Sequence, residues 1–303
     1  MDIKNTHPKV SSDKRQPDAT VGIGLILVGT VALAGMDGIG KAILEDGVPV
    51  FQMLAIRGWI IVPVLLSMAL LRGGGAVMRT TRPVGNLVRA AAGIVATVCF
   101  FLGVREIPLA DAVVIFFSAP LLMTAASALL LRERVGRARW IAVAVGFLGV
   151  GIAMRPGTEA FQVGSLYVFV GSCAYASIGL FNRWLGDTEP TIRLVLYFNI
   201  AITATCTAIA PWSWETVLLS DMGIYVGLAA VALAGHFLVT AAYCRAPVSA
   251  IAPFEYATIL WAMLFGVLFW GDAMSLHLIA GAMLIAGGGL IVIRTECPVR
   301  SAP

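Results

Sequence analysis

Among the ionisable side chains inside long apolar stretches of this chain are Asp37, Arg57, His236 and Glu255. A charge surrounded by hydrocarbon is expensive, so such residues either pair with one another or face an aqueous cavity. Asp37 and Arg57 fall in the outer halves of the first and second apolar runs, with Arg57 roughly 10 Å inside the second at about 1.5 Å per helical residue. Two chemistries fit them: they flank the two charges of a zwitterionic substrate, or they close a structural salt bridge at the outer rim. Glu255 lies roughly 12 Å inside the ninth run, and His236 on the antiparallel eighth reaches a similar level. A histidine titrates near neutral pH, so this pair can couple substrate flux to protonation; alternatively His236 simply hydrogen-bonds inside the bundle. Arg89, close to the entry of its own run, is expected to snorkel toward the membrane surface.

Around these charges the chain carries aromatic and amide groups at mid-depth, namely Phe100, Phe117, Tyr175, Asn199, Tyr256 and Trp261. Small-molecule sites are apolar clefts with a few placed polar groups, so these six are candidates to line one, set against ordinary packing for most of them. Pro120 and Pro253 sit inside the fourth and ninth runs, where a missing backbone donor permits either a hinge or a fixed kink.

Other chemistries lack their residues. The string GMDGIGKA at 35–42 imitates a phosphate-binding loop, yet it ends in Ala42 where a magnesium-holding hydroxyl is needed, and no strand precedes it. HExxH, GxSxG and paired-carboxylate motifs do not occur, which argues against an enzyme. The five cysteines are scattered without CxxC spacing or a nearby histidine pair, so neither a metal, a cofactor nor a disulfide framework is expected.

The elements that must position these groups are set by composition. Of 303 residues 59% are hydrophobic and 13% charged, against about a quarter charged in soluble domains. Apolar runs long enough to cross about 30 Å of hydrocarbon recur between short polar breaks. The spacing predicts ten transmembrane helices at 21–40, 50–71, 84–104, 109–131, 138–154, 163–185, 192–210, 222–243, 248–270 and 274–293. Each must close its own backbone hydrogen bonds, and barrel-type alternation is missing, so the expected class is an all-α integral membrane bundle. Residues 1–20 are polar and basic and read as a disordered tail; 296–303 form a second short tail.

Lys and Arg remain in cytoplasmic loops. With the N-terminus inside, sixteen of the 21 fall on the inner side and three on the outer, leaving Arg57 and Arg89 within spans. Both termini are therefore expected in the cytoplasm. An internal repeat supports the even count. Pro108/Pro247, Glu133/Asp272, Gly149/Gly288, Ile152/Ile291 and Arg155/Arg294 all differ by 139, and Gly29/Gly171, Ala32/Ala174, Ala34/Ala176, Lys41/Arg183 and Glu45/Asp187 by 142. Two halves of five helices, 21–156 and 163–295, follow; five being odd, the second enters from the opposite face, which is the inverted repeat of alternating-access machines.

The segment IPLADAVVIFFSAPLLMTAASALLLRERVGRARWIAVAVGFLGVGIAMRP, with Pro108, Pro120, the LRER turn at Glu133, Trp140 and Gly146, Gly149 and Gly151, resembles the drug/metabolite transporter superfamily in its ten-helix form with two EamA-type halves. The second half carries a weaker copy, its turn reading WGDAMS. The resemblance covers roughly 21–295 and is greatest to the YddG-type bacterial exporters of aromatic amino acids. It implies an inner-membrane secondary transporter that exports amino acids with aromatic or other apolar side chains, working as a monomer in the lipid bilayer with no ATP and no nucleic acid. The alternative within the superfamily is efflux of lipophilic cations or carriage of another small metabolite; outside it, a receptor or structural membrane protein without flux, disfavoured by the short loops.

Overall fold

The computed structural model describes residues 19–73, 79–122, 125, 137–154, 162–185, 189–245, 254–273 and 275–296. Their regular structure is helical: α1 (Ala19–Glu45), α2 (Val50–Gly73), α3 (Pro83–Glu106), α4 (Leu109–Phe116), α5 (Arg137–Met154), α6 (Val163–Leu185), α7 (Thr191–Ile209), α8 (Met222–Arg245), α9 (Ala257–Phe265) and α10 (Leu276–Glu296). Each falls within or over one of the expected spans. Five helical stretches, at Thr20–Glu45, Val50–Leu71, Pro83–Glu106, Ile192–Ser213 and Met222–Val239, are individually long and apolar enough to cross a membrane, and the others are shorter apolar pieces. The Glu133 turn, Pro247 and Pro253 lie outside the described residues.

The side chains are distributed as lipid requires. Large apolar groups such as Leu71, Val84, Leu148, Leu260, Phe269 and Met283 are exposed on the outside, while Asp37, Arg57, Gln52 and Asn199 are buried. A particle with that surface is solvated by hydrocarbon, and its polar groups turn inward to one another.

Helix pairing follows a pattern. The most extensive contacts are α1 with α8, α3 with α6, α2 with α7, and α5 with α10, and α4 meets α9. Replacing every helix by the one five places along the chain leaves this set unchanged. Small residues allow the close approaches, as expected where helices associate without a hydrophobic drive. A Cβ on Gly29 would lie 2.9 Å from Val239 on α8, and one on Gly171 3.0 Å from the Ala96 carbonyl on α3. One residue further on, Thr30 Oγ1 donates to the Leu27 carbonyl at 2.7 Å and Ser172 Oγ to the Phe169 carbonyl at 2.8 Å. Both glycines and both hydroxyls are 142 apart.

Two helices are broken, and at corresponding places. Proline has no N–H, so Pro120 cannot donate to the Phe116 carbonyl, and α4 stops at Phe116. A tighter turn replaces it, Ser118 N donating to Ile115 and Leu121 N to Ser118 at 3.0 Å each. The ninth span breaks at Tyr256, whose carbonyl accepts from Ile259 N in the first turn of α9 at 3.1 Å. Phe117 and Tyr256 are 139 apart in sequence, and their rings meet with centroids 5.5 Å apart.

Hydrogen bonds tie down the ends of the bundle. After α9 the chain makes a π-turn at Gly266–Trp270, ended by Gly271 at φ 64°, where a glycine is favoured. This sets Trp270 against α1: its indole N–H donates to Glu45, and the Lys41 ammonium lies 5.7 Å from the ring centroid. Lys41 also pairs with Glu45 at 3.4 Å and donates to the Ile107 carbonyl at 3.1 Å. The lysine of the phosphate-loop look-alike is thus a helix-end fastener between α1 and α3.

At the start of α7, outside the spanning segments, Glu189 is 4% exposed and accepts from Thr80 Oγ1 at 2.7 Å, Thr81 N at 2.9 Å, Thr81 Oγ1 at 3.0 Å and the Arg193 guanidinium. Burial pushes this carboxyl up, but the donors from Arg193, Thr80 and Thr81 together outweigh it and hold it at about 2, against an ordinary 4.5. A carboxyl depressed in the folded state stabilises above its unfolded pKa, and that contribution disappears as pH falls from about 4.5 toward 2. Glu189→Gln is expected to lower the melting midpoint at pH 7 by about 4 °C through loss of the charged contact between Glu189 and Arg193. Melting curves from pH 7 to 3 should show the wild-type and variant midpoints converging on the acid side.

Candidate central cavity

Between the two halves lies a cavity of about 370 Å³, large enough for one small metabolite. Helices α1, α2, α3, α4, α6, α7, α8 and α9 and the segments at the two breaks supply its walls, whereas among the described residues α5 and α10 supply none. Broken helices around a mid-bundle cavity are the usual way to expose backbone and side chains to a substrate inside a membrane protein.

Of the side chains expected at a site, Asp37, Arg57, Phe100, Phe117, Tyr175, Asn199, His236 and Glu255 line the cavity, as does Pro120. Tyr256 and Trp261 do not; Tyr256 stands behind Phe117 with its hydroxyl buried and unsatisfied, as is the Trp261 N–H. Aromatic residues of core and cavity look alike in a sequence, so depth alone could not separate them.

The charged groups form two clusters. At one end Asp37 and Arg57 are buried, near enough to feel each other's charge without closing into an ion pair. One Arg57 N–H points at the Met36 sulfur at 3.6 Å, a weak acceptor for a guanidinium. The rim salt bridge is therefore absent. No ion pair joins His236 to Glu255 among the described residues, so the expected pair is not formed. At the other end Tyr175 stands within electrostatic reach of both Arg89 and Glu255.

Arg89 departs from expectation. Rather than snorkelling, it turns inward, lines the cavity, and donates to the Leu194 carbonyl of α7 at 3.0 Å. Between the clusters the wall is aromatic. Phe100 and Phe116 meet edge to face with centroids 5.1 Å apart, Phe116 and Tyr175 pack tilted at 5.2 Å, and Phe198 completes the surface. Asn199 is pinned to its own helix, its amide N donating to the Val195 carbonyl at 2.9 Å. Arg57 is 3% and Asp37 7% exposed, whereas Arg89 and Glu255 at the other end are half-buried.

Sequence reasoning missed Arg89, Thr97, Phe116 and Phe198. A signal for two of them was present. At offsets of 139 or 142, Arg57 corresponds to Asn199, Leu33 to Tyr175, Met36 to Ile178, Thr97 to His236, Phe100 to Val239, Phe116 to Glu255 and Ala119 to Thr258, and both members of every pair line the cavity. Taking the repeat mate of each chosen residue would have found Thr97 and Phe116.

Comparison with known proteins agrees with this architecture. The EamA-like transporter family matches residues 20–155. The pseudopaline exporter CntI of Pseudomonas aeruginosa is 31% identical over 238 residues, 76% of this chain and 79% of that protein. An S-adenosylmethionine uptake transporter of Rickettsia bellii is 24% identical, covering 91% of this chain and 94% of its own length, and a riboflavin transporter of Vibrio cholerae 26% identical, covering 88% of each. A crystal structure of another protein superposes with a TM-score of 0.61 over 91% of this chain and 99% of that one at 21% identity, a likeness of fold. With a relative above 30% identity matched over more than two thirds of its length, the chain belongs to the EamA-like transporter family.

Proposed function

We propose that the protein is a secondary transporter that exports amino acids with aromatic or other apolar side chains across the bacterial inner membrane by alternating access between two inverted five-helix halves. The observation that carries this is the pairing of a buried, separated Asp37 and Arg57 with an aromatic-walled cavity between the halves. Asp37 takes the substrate ammonium, Arg57 the carboxylate, and Phe100, Phe116 and Phe117 the apolar side chain. Phe117 and Tyr256, at equivalent breaks and in contact, are the natural point about which the halves exchange arrangements, with Pro120 fixing the first break. With both termini cytoplasmic, as the Lys and Arg bias favours, the exposed Tyr175 end faces inward and the buried Asp37 end outward, the state that loads for export.

Relatives named for uptake and for export share this fold, so the gradient rather than the architecture decides direction. In liposomes the protein should exchange labelled phenylalanine or tryptophan against internal unlabelled substrate; an absence of any amino-acid flux removes the substrate assignment. A cavity for lipophilic cations wants acidic and aromatic walls. Arg57 and Arg89 line this one, so expression should give no growth protection against ethidium, and clear protection would favour that class instead.

A further inference from the structure

The two charged clusters are separated along the bundle. Gly40 on α1 packs against the Phe101 ring on α3. Arg89 lies twelve residues before Phe101 on α3, and Asp37 three before Gly40 on α1. Successive helical residues rise about 1.5 Å, so the Asp37 and Arg89 levels are about 13 Å apart if the two helices run side by side in the same direction, as an alternating up-and-down bundle requires. A single amino acid such as phenylalanine has charges at one end only, and engaging Asp37 and Arg57 leaves it short of the other cluster.

That other cluster has the composition of a recognition site. Arg89 offers a cation anchored by its hydrogen bond to α7, Glu255 an anion, and Tyr175 a hydroxyl on a ring that packs on Phe116. All three line the same cavity as Asp37 and Arg57, at its more exposed end. Their repeat mates carry no charge: Glu255 corresponds to Phe116 and Tyr175 to Leu33, so this cluster is not an echo of symmetry in the helices that build it.

We propose that Arg89, Tyr175 and Glu255 form a second charged subsite that recognises the far end of a substrate ionic at both ends with an apolar middle. This rests on the assignment of Asp37 and Arg57 to an amino-acid head group and extends it to an elongated, two-headed metabolite. The natural probe is 1,4-phenylene-bis-alanine, which carries an amino-acid head on each side of one aromatic ring.

The test is competition in proteoliposomes, measuring the concentrations of phenylene-bis-alanine and of phenylalanine that halve labelled-tryptophan exchange. The two-headed compound is expected to act at about tenfold lower concentration, one extra charge-assisted contact being sufficient for that. Arg89→Met and Glu255→Gln should each bring the ratio of the two concentrations toward one, and Arg89→Lys should restore part of it. Equal potency on the wild type, which needs no variant to fold, overturns the second subsite while leaving the head-group assignment standing, as does a ratio unmoved by both substitutions. Failure of the two-headed compound alone to compete likewise overturns only the second subsite, and failure of both compounds overturns both assignments.

Discussion

Arg57→Met is expected to reduce amino-acid exchange by about 100-fold. The Arg57 guanidinium is 3% exposed, lines the cavity, and has the Met36 sulfur rather than a carboxylate within hydrogen-bonding range. A substrate carboxylate would supply the strong acceptors it lacks. Hydrogen bonds between charged groups contribute about 1.5–3 kcal/mol, and about 1.4 kcal/mol is a factor of ten in affinity. The loss should appear chiefly as a raised half-saturation concentration, with the protein still folded, because methionine keeps most of the aliphatic volume. Asp37→Asn should act in the same direction. Since Asp37 and Arg57 feel each other's charge, the double variant should lose less than the two single losses combined. Full additivity would place the two residues in independent roles.

The second large effect is expected far from the cavity. A Cβ on Gly149 would lie 2.8 Å from the Gly281 carbonyl and 2.9 Å from Leu284 Cβ, and one on Gly281 2.9 Å from the Gly149 carbonyl. The nearest atoms across the α5–α10 seam there are backbone carbonyls and Cβ atoms, which cannot rotate away. Gly149→Leu should therefore cost about 3 kcal/mol, with a fall in melting midpoint of roughly 8 °C. Because no described residue of either helix lines the cavity, the half-saturation concentration of the protein that does fold should not move. A stable Gly149→Leu protein would mean the seam opens more easily than its geometry implies.

The fold was largely legible. A helix crossing hydrocarbon needs a length of apolar sequence that few other structures need, so each described helix falls on a run visible by eye. Asp37, Arg57, His236 and Glu255 were legible for the same reason, since a charge inside such a run must be accounted for. What failed were judgements of direction. Arg89 was placed by its distance from the end of α3, and that distance does not say which way the side chain points; it turns inward to a carbonyl of α7. Depth along a run says nothing of angular position, and His236 and Glu255 form no ion pair. Pro120 marked the break in the fourth span correctly in kind, but the helix ends at Phe116, the carbonyl its ring leaves without a donor.

The most direct test of alternating access through this cavity is thiol labelling. With the five native cysteines replaced, a single cysteine at Thr97, on the cavity wall, would be exposed to membrane-impermeant reagents applied from either side of the membrane. Labelling from the cytoplasmic side at rest, and from the outer side as well once amino-acid exchange is running, is the predicted result. Labelling that stays confined to one side throughout active exchange would contradict a shared cavity opened in turn by two inverted halves.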